Sequence, residues 1–86
     1  MSQVESEIVA LFEQHFYAKK GAATGATLVE TVIKDSMDFI ELIALITTKY
    51  GITVNPEGIM HVRTIGDIAK LVESSLRAKE DRLSRF

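Results

Sequence analysis

The stretch "IKDSMDFIEL", residues 33–42, places a single serine between an aspartate and a methionine, immediately before a strongly apolar segment. Serine and aspartate are preferred residues at helix N-termini, so the pattern predicts that a helix begins close to Ser36. The serine can then cap the helix, act as a nucleophile or carry a covalent group. Taken by itself, the position favours capping, because most serines at helix starts do nothing more.

The helix that follows is predicted to run to about Tyr50 and to end at Gly51, since glycine readily adopts the left-handed conformation. Apolar residues cover most of its circumference. One narrow polar face remains, formed by Asp38, Glu41 and Thr48 with Lys49 beside them. Apolar residues border this face, namely Met37 and Ile40 or Ala44. This acidic ridge suits a docking partner, although a core helix with one acidic side facing water explains it equally well.

The flanking sequence predicts two further main helices and a short one. The first helix is expected over roughly residues 3–18, ending near Lys19, Lys20 and Gly21. A one-turn helix is expected over residues 57–62, and the last helix is expected to begin at Thr64, with Asp67 completing a capping box. The predicted buried positions of the first and last helices are Val4, Ile8, Leu11, Phe12, His15, Phe16, Ile65, Ile68, Ala69, Leu71, Val72 and Leu76.

The connecting segments complete an all-α prediction. The loop "GAATGAT", residues 21–27, lacks the Gly-Lys-Ser/Thr of a phosphate-binding loop and is expected to be flexible, with Leu28 and Val32 as apolar anchors behind it. Residues 51–54 are expected to be briefly extended, and the charged tail, residues 77–86, to fray. The prediction is a single domain over residues 1–86, with an ordered core of about 3–76, built as a bundle of three main helices and one short helix.

Composition excludes several classes of function. A chain of 86 residues has too small a core to enclose a sizeable catalytic cavity, which argues against a substrate-enclosing enzyme. It has no cysteine, and its net charge of −2 gives no basic surface for nucleic acid. The two histidines, His15 and His61, have no regular spacing to carboxylates, which argues against a metal site and against a base for a nucleophilic serine. Without a signal-like or membrane-spanning segment, a cytoplasmic protein is expected.

The residues around Ser36 resemble a known signature. Asp35-Ser36-Met37-Asp38, followed by Ile40-Glu41-Leu42, is similar to the Asp-Ser-Leu-Asp-x-Val-Glu-Leu motif of acyl carrier proteins. The resemblance extends over roughly residues 3–76, with matching positions at Leu28, Val32, Ile46, Tyr50, Val54 and the segment "RTIGDIAKLV", residues 63–72. The ordered set is far more specific than any single short motif, and it reverses the preference for a simple cap at Ser36.

The resemblance implies a carrier that is not itself an enzyme. Ser36 would accept 4′-phosphopantetheine from coenzyme A through a separate phosphopantetheinyl transferase, and the thiol of this arm would hold an acyl group as a thioester. The partners would be enzymes with basic docking patches that load and process the acyl group, and the carrier would be a monomer. Carried over by position, the docking residues would be Asp35, Met37, Asp38, Glu41 and Ala44, and the residues lining an acyl chain would be Leu42, Ile46, Val62, Ile68 and Leu71.

Three departures from the family pattern suggest a specialised carrier, for example in a secondary or modified-lipid pathway. Met37 replaces the usual leucine, which is a mild change of shape. Ile33 stands where glycine is usual, with Lys34 next to it, so the approach to Ser36 is expected to be bulkier and more basic. The second helix ends in Thr47, Thr48 and Lys49 rather than in glutamates. An aminoacyl or peptidyl carrier and an unmodified helical interaction module, binding a partner helix or a second copy, remain as alternatives.

Overall fold

The structure, a computed structural model, describes residues 3–16 and 23–83. Within these ranges the chain forms four α-helices, a 3₁₀ turn and no β-strand. The helices are α1 (Gln3–His15), α2 (Ser36–Tyr50), α3 (Pro56–Met60) and α4 (Ile65–Leu83), and the 3₁₀ turn is Val29–Thr31. The all-α prediction of three main helices and a short one, with a long connection before the second, is confirmed.

One apolar core holds the helices together. Helix α1 packs against α4, and α3 contacts both α2 and α4. The buried cluster draws on every helix and on the connections between them, and it includes Ile8, Phe12, Val29, Ile33, Leu42, Ile46, Ile52, Val54, Ile59, Ile65, Ile68 and Val72. No polar or charged side chain is buried among the residues that the structure describes, so apolar burial is the main source of stability.

Local signals set the end of α2 and the start of α4 as predicted. Gly51 adopts φ 64° and ψ 35°, and its N–H donates to the Thr47 carbonyl. At the start of α4, the Thr64 N–H donates to the Asp67 carboxylate and the Asp67 N–H donates to Thr64 Oγ1, each at 3.2 Å. This is a reciprocal capping box, and the hydrogen bond from the Thr64 backbone holds the pKa of Asp67 below its ordinary value.

The loop before α2 forms a hydrogen-bonded turn over residues 24–27, and the expected flexibility of residues 21–27 stays a prediction. The Thr24 N–H donates to Thr27 Oγ1 at 2.8 Å, and the Thr27 N–H donates to the Thr24 carbonyl at 3.1 Å. The loop is also joined to the start of α4 by three backbone hydrogen bonds, which are Val29 N–H to Arg63 O (2.8 Å), Ile65 N–H to Thr27 O (3.1 Å) and Gly66 N–H to Gly25 O (2.8 Å). The loop thereby satisfies N–H groups that the first turn of α4 cannot pair internally.

A glycine of α4 lies against the backbone of the loop at this junction. A Cβ atom on Gly66 would lie 3.0 Å from the Gly25 carbonyl oxygen, so this close approach favours a residue without a side chain. A Cβ on Gly25 would overlap only the end of the Glu5 side chain, which can move aside. The loop, α1 and α4 therefore meet at a tightly packed crossing.

Other expectations are corrected in detail. His15 was placed on the buried face of α1, but its side chain is exposed. Helix α3 spans Pro56–Met60 instead of residues 57–62, and α4 continues to Leu83, beyond the expected end of the ordered core near residue 76. The predicted stop of α1 near Lys19–Gly21 lies outside the described residues. The single domain over residues 1–86 and fraying at the end of the chain stay predictions.

Candidate functional site

Asp35, and not Ser36, is the N-cap of α2. Asp35 has extended dihedral angles (φ −128°, ψ 144°), and its Oδ1 accepts the Met37 N–H at 3.0 Å. Its carbonyl oxygen also accepts the Asp38 N–H at 3.0 Å. The interpretation of Ser36 as a cap is therefore wrong by one residue, because the neighbouring carboxylate already performs this role.

Ser36 is the first residue of α2 and its side chain is exposed. In the part of the chain that the structure describes, no hydrogen bond involves its hydroxyl group. The hydroxyl lies at the positive end of the helix macrodipole, where a phosphate group is electrostatically favoured. An accessible hydroxyl with no structural task, in a favourable field for an anion, fits covalent attachment of a phosphodiester.

Nucleophilic catalysis by Ser36 finds no support in the surrounding residues. A nucleophilic serine needs a base within hydrogen-bond reach. His15 is exposed on α1, and His61 Nδ1 lies 2.7 Å from the Glu57 carbonyl oxygen, to which only a protonated nitrogen can donate. Neither ring hydrogen-bonds to Ser36 within the described ranges.

The residues expected to form a docking face share the solvent-facing side of α2 and its N-cap. Met37 is 64% exposed, Asp35, Glu41 and Ala44 are also exposed, and Asp38 is half-buried. Ile40, which borders them, is 59% exposed. The predicted ridge of carboxylates with apolar neighbours is thus present, whereas its use by partners stays a prediction.

The approach to Ser36 differs from the expected one. Ile33 is only 4% exposed, and its N–H donates to the Val29 carbonyl at 2.8 Å. Its side chain therefore belongs to the core and adds no bulk beside Ser36, so that expectation is wrong. Lys34 is exposed and keeps the approach basic, as expected.

The five residues expected to line an acyl chain lie in or against one apolar cluster. Leu42, Ile46 and Ile68 are fully buried, and Val62 and Leu71 are half-buried and pack against them. Val62 also borders a cavity of about 300 Å³, whose other lining residues are Leu28, Glu30 and Arg63. Entry of a chain among the buried three would require the core to separate, and this role stays a prediction.

Sequence reasoning missed the contacts at the other end of α2. The Tyr50 hydroxyl donates to Glu7 Oε1 of α1 at 2.7 Å, and Lys79 Nζ of α4 donates to the Gly51 carbonyl at 3.0 Å. Burial and the Glu7 carboxylate raise the pKa of Tyr50 well above its ordinary value. No sequence motif signals these pairs, and Lys79 belongs to the segment that was expected to fray.

Comparison with known families finds a match over part of the chain. Residues 35–72, from the N-cap of α2 into α4, match the family described as "Phosphopantetheine attachment site". Domains of this family carry covalently attached 4′-phosphopantetheine and are themselves non-catalytic carriers. The match is consistent with a member of the acyl carrier protein family. A search of the curated proteins finds no significant match.

Within the described residues, no helix combines the length and the apolar character needed to cross a lipid bilayer.

Proposed function

We propose that this chain is an acyl carrier protein and that Ser36 bears the phosphopantetheine arm. The observation that carries the proposal is that Ser36 is the only serine in the matched segment, residues 35–72. Its exposure at the start of α2, and a cap supplied by Asp35, support the assignment. The attachment oxygen is therefore accessible without disturbing the helix.

Attachment is a phosphoryl transfer catalysed by a separate phosphopantetheinyl transferase. Ser36 Oγ bonds to the phosphorus next to pantetheine in coenzyme A, the bond to adenosine 3′,5′-bisphosphate breaks, and the hydroxyl proton passes to a base of the transferase. The arm supplies a thiol that holds an acyl group as a thioester. Asp35 keeps the first turn of α2 formed, so that Ser36 is presented at the electropositive helix end.

The exposed ridge of α2 is the proposed docking face for basic patches on the transferase and on acyl-loading and acyl-processing enzymes. Its residues are Asp35, Met37, Asp38, Glu41 and Ala44. Docking places the tethered acyl group at high effective concentration near a partner's active site. The proposed lining of a sheltered acyl chain is Leu42, Ile46, Val62, Ile68 and Leu71.

We place this carrier in the cytoplasm, as a monomer, in fatty-acid, polyketide or modified-lipid biosynthesis. Aspartates on both sides of Ser36, at positions 35 and 38, favour an acyl group over an aminoacyl or peptidyl group. The exposed Lys34 and the less acidic end of α2 favour a specialised carrier with dedicated enzymes.

Intact-protein mass spectrometry tests the assignment. After coexpression with a phosphopantetheinyl transferase, the wild type should gain one phosphopantetheine mass and Ser36→Ala should gain none. Ser74→Ala is the matched control, since Ser74 is exposed on α4 outside the matched segment, and it should be modified like the wild type. Absence of the mass shift with several different transferases, in a protein that circular dichroism shows to be helical, would refute the proposal.

The exposure of Met37 and Ile40 favours a second candidate, an interaction module whose apolar side chains bind a partner helix or a second copy. Light scattering and mass spectrometry separate the two. A dimer that resists modification and dissociates in Ile40→Glu would support the interaction module. A modified monomer would support the carrier.

A further inference from the structure

The exposed side of α2 carries opposite charges at its two ends. Asp38 and Glu41 give its first two turns a negative charge. Thr47, Thr48 and Lys49 are all exposed in its last turn, where the only charge is positive. A partner that approaches along the helix therefore meets an acidic half followed by a cationic end.

The two ends act as separate electrostatic features. Glu41 and Lys49 are eight residues apart, which corresponds to ~12 Å along the helix axis at the usual rise per residue. The screening length at physiological ionic strength is ~8 Å, so the two charges largely do not cancel each other for an incoming surface. A partner must complement each end separately.

The cationic end is supported by specific contacts. The Lys49 ammonium lies 5.8 Å from the centroid of the Tyr50 ring, within range of a cation–π interaction, and the Tyr50 hydroxyl is itself held by Glu7. Lys79 brings a second ammonium group to the same end of the helix through its hydrogen bond to Gly51. Two ammonium groups thus lie at this end of α2 against one carboxylate, that of Glu7, so the local charge remains positive.

The same charges also complement the helix macrodipole and so contribute to the stability of α2. That contribution alone changes the free energy of unfolding and leaves the association with partners unaffected. The two roles can therefore be separated by experiment.

We infer that α2 is a bipolar docking surface that selects among partner enzymes, an inference that rests on the proposed carrier function. It fits enzymes that present cationic side chains to Asp38 and Glu41 and an acidic or uncharged surface to Lys49. An enzyme whose cationic strip follows the whole length of α2 meets a like charge at Lys49 and associates slowly, because charge complementarity chiefly sets association rate and partner choice. Lys49 is a specificity residue in this view.

Modification kinetics with a broad-specificity phosphopantetheinyl transferase that has a continuous cationic docking strip test this inference. At low ionic strength, Lys49→Glu should lower KM about fivefold to tenfold with kcat unchanged, and Lys49→Gln should produce an intermediate decrease. The difference should vanish at 1 M salt, where the screening length is ~3 Å. Arg77→Glu makes the same change in net charge on an exposed position of α4 and should leave KM unchanged.

Equal KM values for the wild type and Lys49→Glu, or the same decrease in Arg77→Glu, would overturn the bipolar surface while leaving the carrier function standing. Absence of modification in every variant, including the wild type at saturating concentration, would overturn the carrier function and this inference with it. Thermal unfolding of each variant shows that the comparison is made between folded proteins.

Discussion

The two ends of α2 are held in different ways. At the first end, Ser36 and Met37 are exposed, and the helix start is fixed by Asp35, two residues from the N–H that it caps. At the last end, Tyr50 bonds to a residue 43 positions earlier in the sequence and Gly51 to a residue 28 positions later. One end is stabilised locally and faces solvent, whereas the other is anchored to α1 and α4.

This contrast shows how a helix can expose a side chain in its first turn while its last turn stays anchored to the rest of the fold. Tertiary contacts at Ser36 itself would cover it from any modifying enzyme. The last turn is tied to two other helices, the middle is buried through Leu42 and Ile46, and the first turn is held by its cap and by Phe39, which packs against the core. Substitutions can change one end at a time, and we expect the largest effect at Gly51 and the smallest at Tyr50.

Gly51→Ala should weaken the anchored end most. Alanine at positive φ costs about 1–2 kcal/mol, and its Cβ would lie 3.1 Å from Lys79 Nζ, which would also disturb the bond to the Gly51 carbonyl. We expect a loss of about 2 kcal/mol in the free energy of unfolding, measured by urea denaturation. Gly58→Ala is the control, since a Cβ there would meet its nearest neighbour at 3.9 Å, and it should be neutral or stabilising. Equal losses in both variants would contradict the anchoring role of Gly51.

Glu41→Lys should affect docking at the first, solvent-facing end of α2 without affecting the fold. Reversal of an exposed charge on the docking ridge should slow acyl loading by a cognate enzyme roughly tenfold, mainly through the association step. Loading can be followed by mass spectrometry at several salt concentrations. Glu80→Lys reverses an exposed charge on α4 and should load normally. Unchanged loading of Glu41→Lys would exclude this face as the docking surface.

Asp35→Ala should destabilise the first, solvent-facing end of α2 by about 1 kcal/mol, because the first turn loses its cap. Hydrogen exchange should become faster at the Met37 and Asp38 amides and stay unchanged near Tyr50. Asp35→Asn should restore protection, since asparagine caps helices as well as aspartate does. Faster exchange along the whole of α2 would show that the two ends are not independent.

Tyr50→Phe should have the smallest effect, roughly 0.5 kcal/mol, because the hydrogen bond to Glu7 is partly accessible to water. Its pH dependence is more informative. The folded state raises the pKa of Tyr50 above its ordinary value near 10, so its contribution is complete below pH 10 and is lost as the pH rises further. The wild type should therefore lose stability above pH 10 more steeply than Tyr50→Phe. Parallel stability curves for the two proteins would contradict the coupling between Tyr50 and Glu7.

Features that depend on neighbouring residues were predictable from the sequence. The bounds of α2, the left-handed Gly51 and the Thr64–Asp67 capping box each follow from residues within one helical turn. The choice between Asp35 and Ser36 as cap did not follow, because both residue types have nearly equal capping preference. Local sequence therefore gave the position of the helix start to within one residue.

Features that depend on distant residues were not predictable. His15 has the correct angle around α1 for burial, but periodicity does not tell how far a neighbouring element extends along the axis. The burial of Ile33 likewise depends on its partners in the core, which the residues next to it in the sequence do not reveal. The same limit applies to the acyl lining and the docking roles, which depend on a bound chain and on partner surfaces.

The crossing of the loop with α4 has a consequence for the order in which the fold assembles. Three backbone hydrogen bonds join residues 25–29 to residues 63–66, so the loop before α2 is tied to residues made later in synthesis. Because a nascent chain grows from its N-terminus, α2 with its Asp35 cap can form while this loop still lacks its partners at the start of α4. The loop is therefore expected to settle against the rest of the fold after the helix that it precedes.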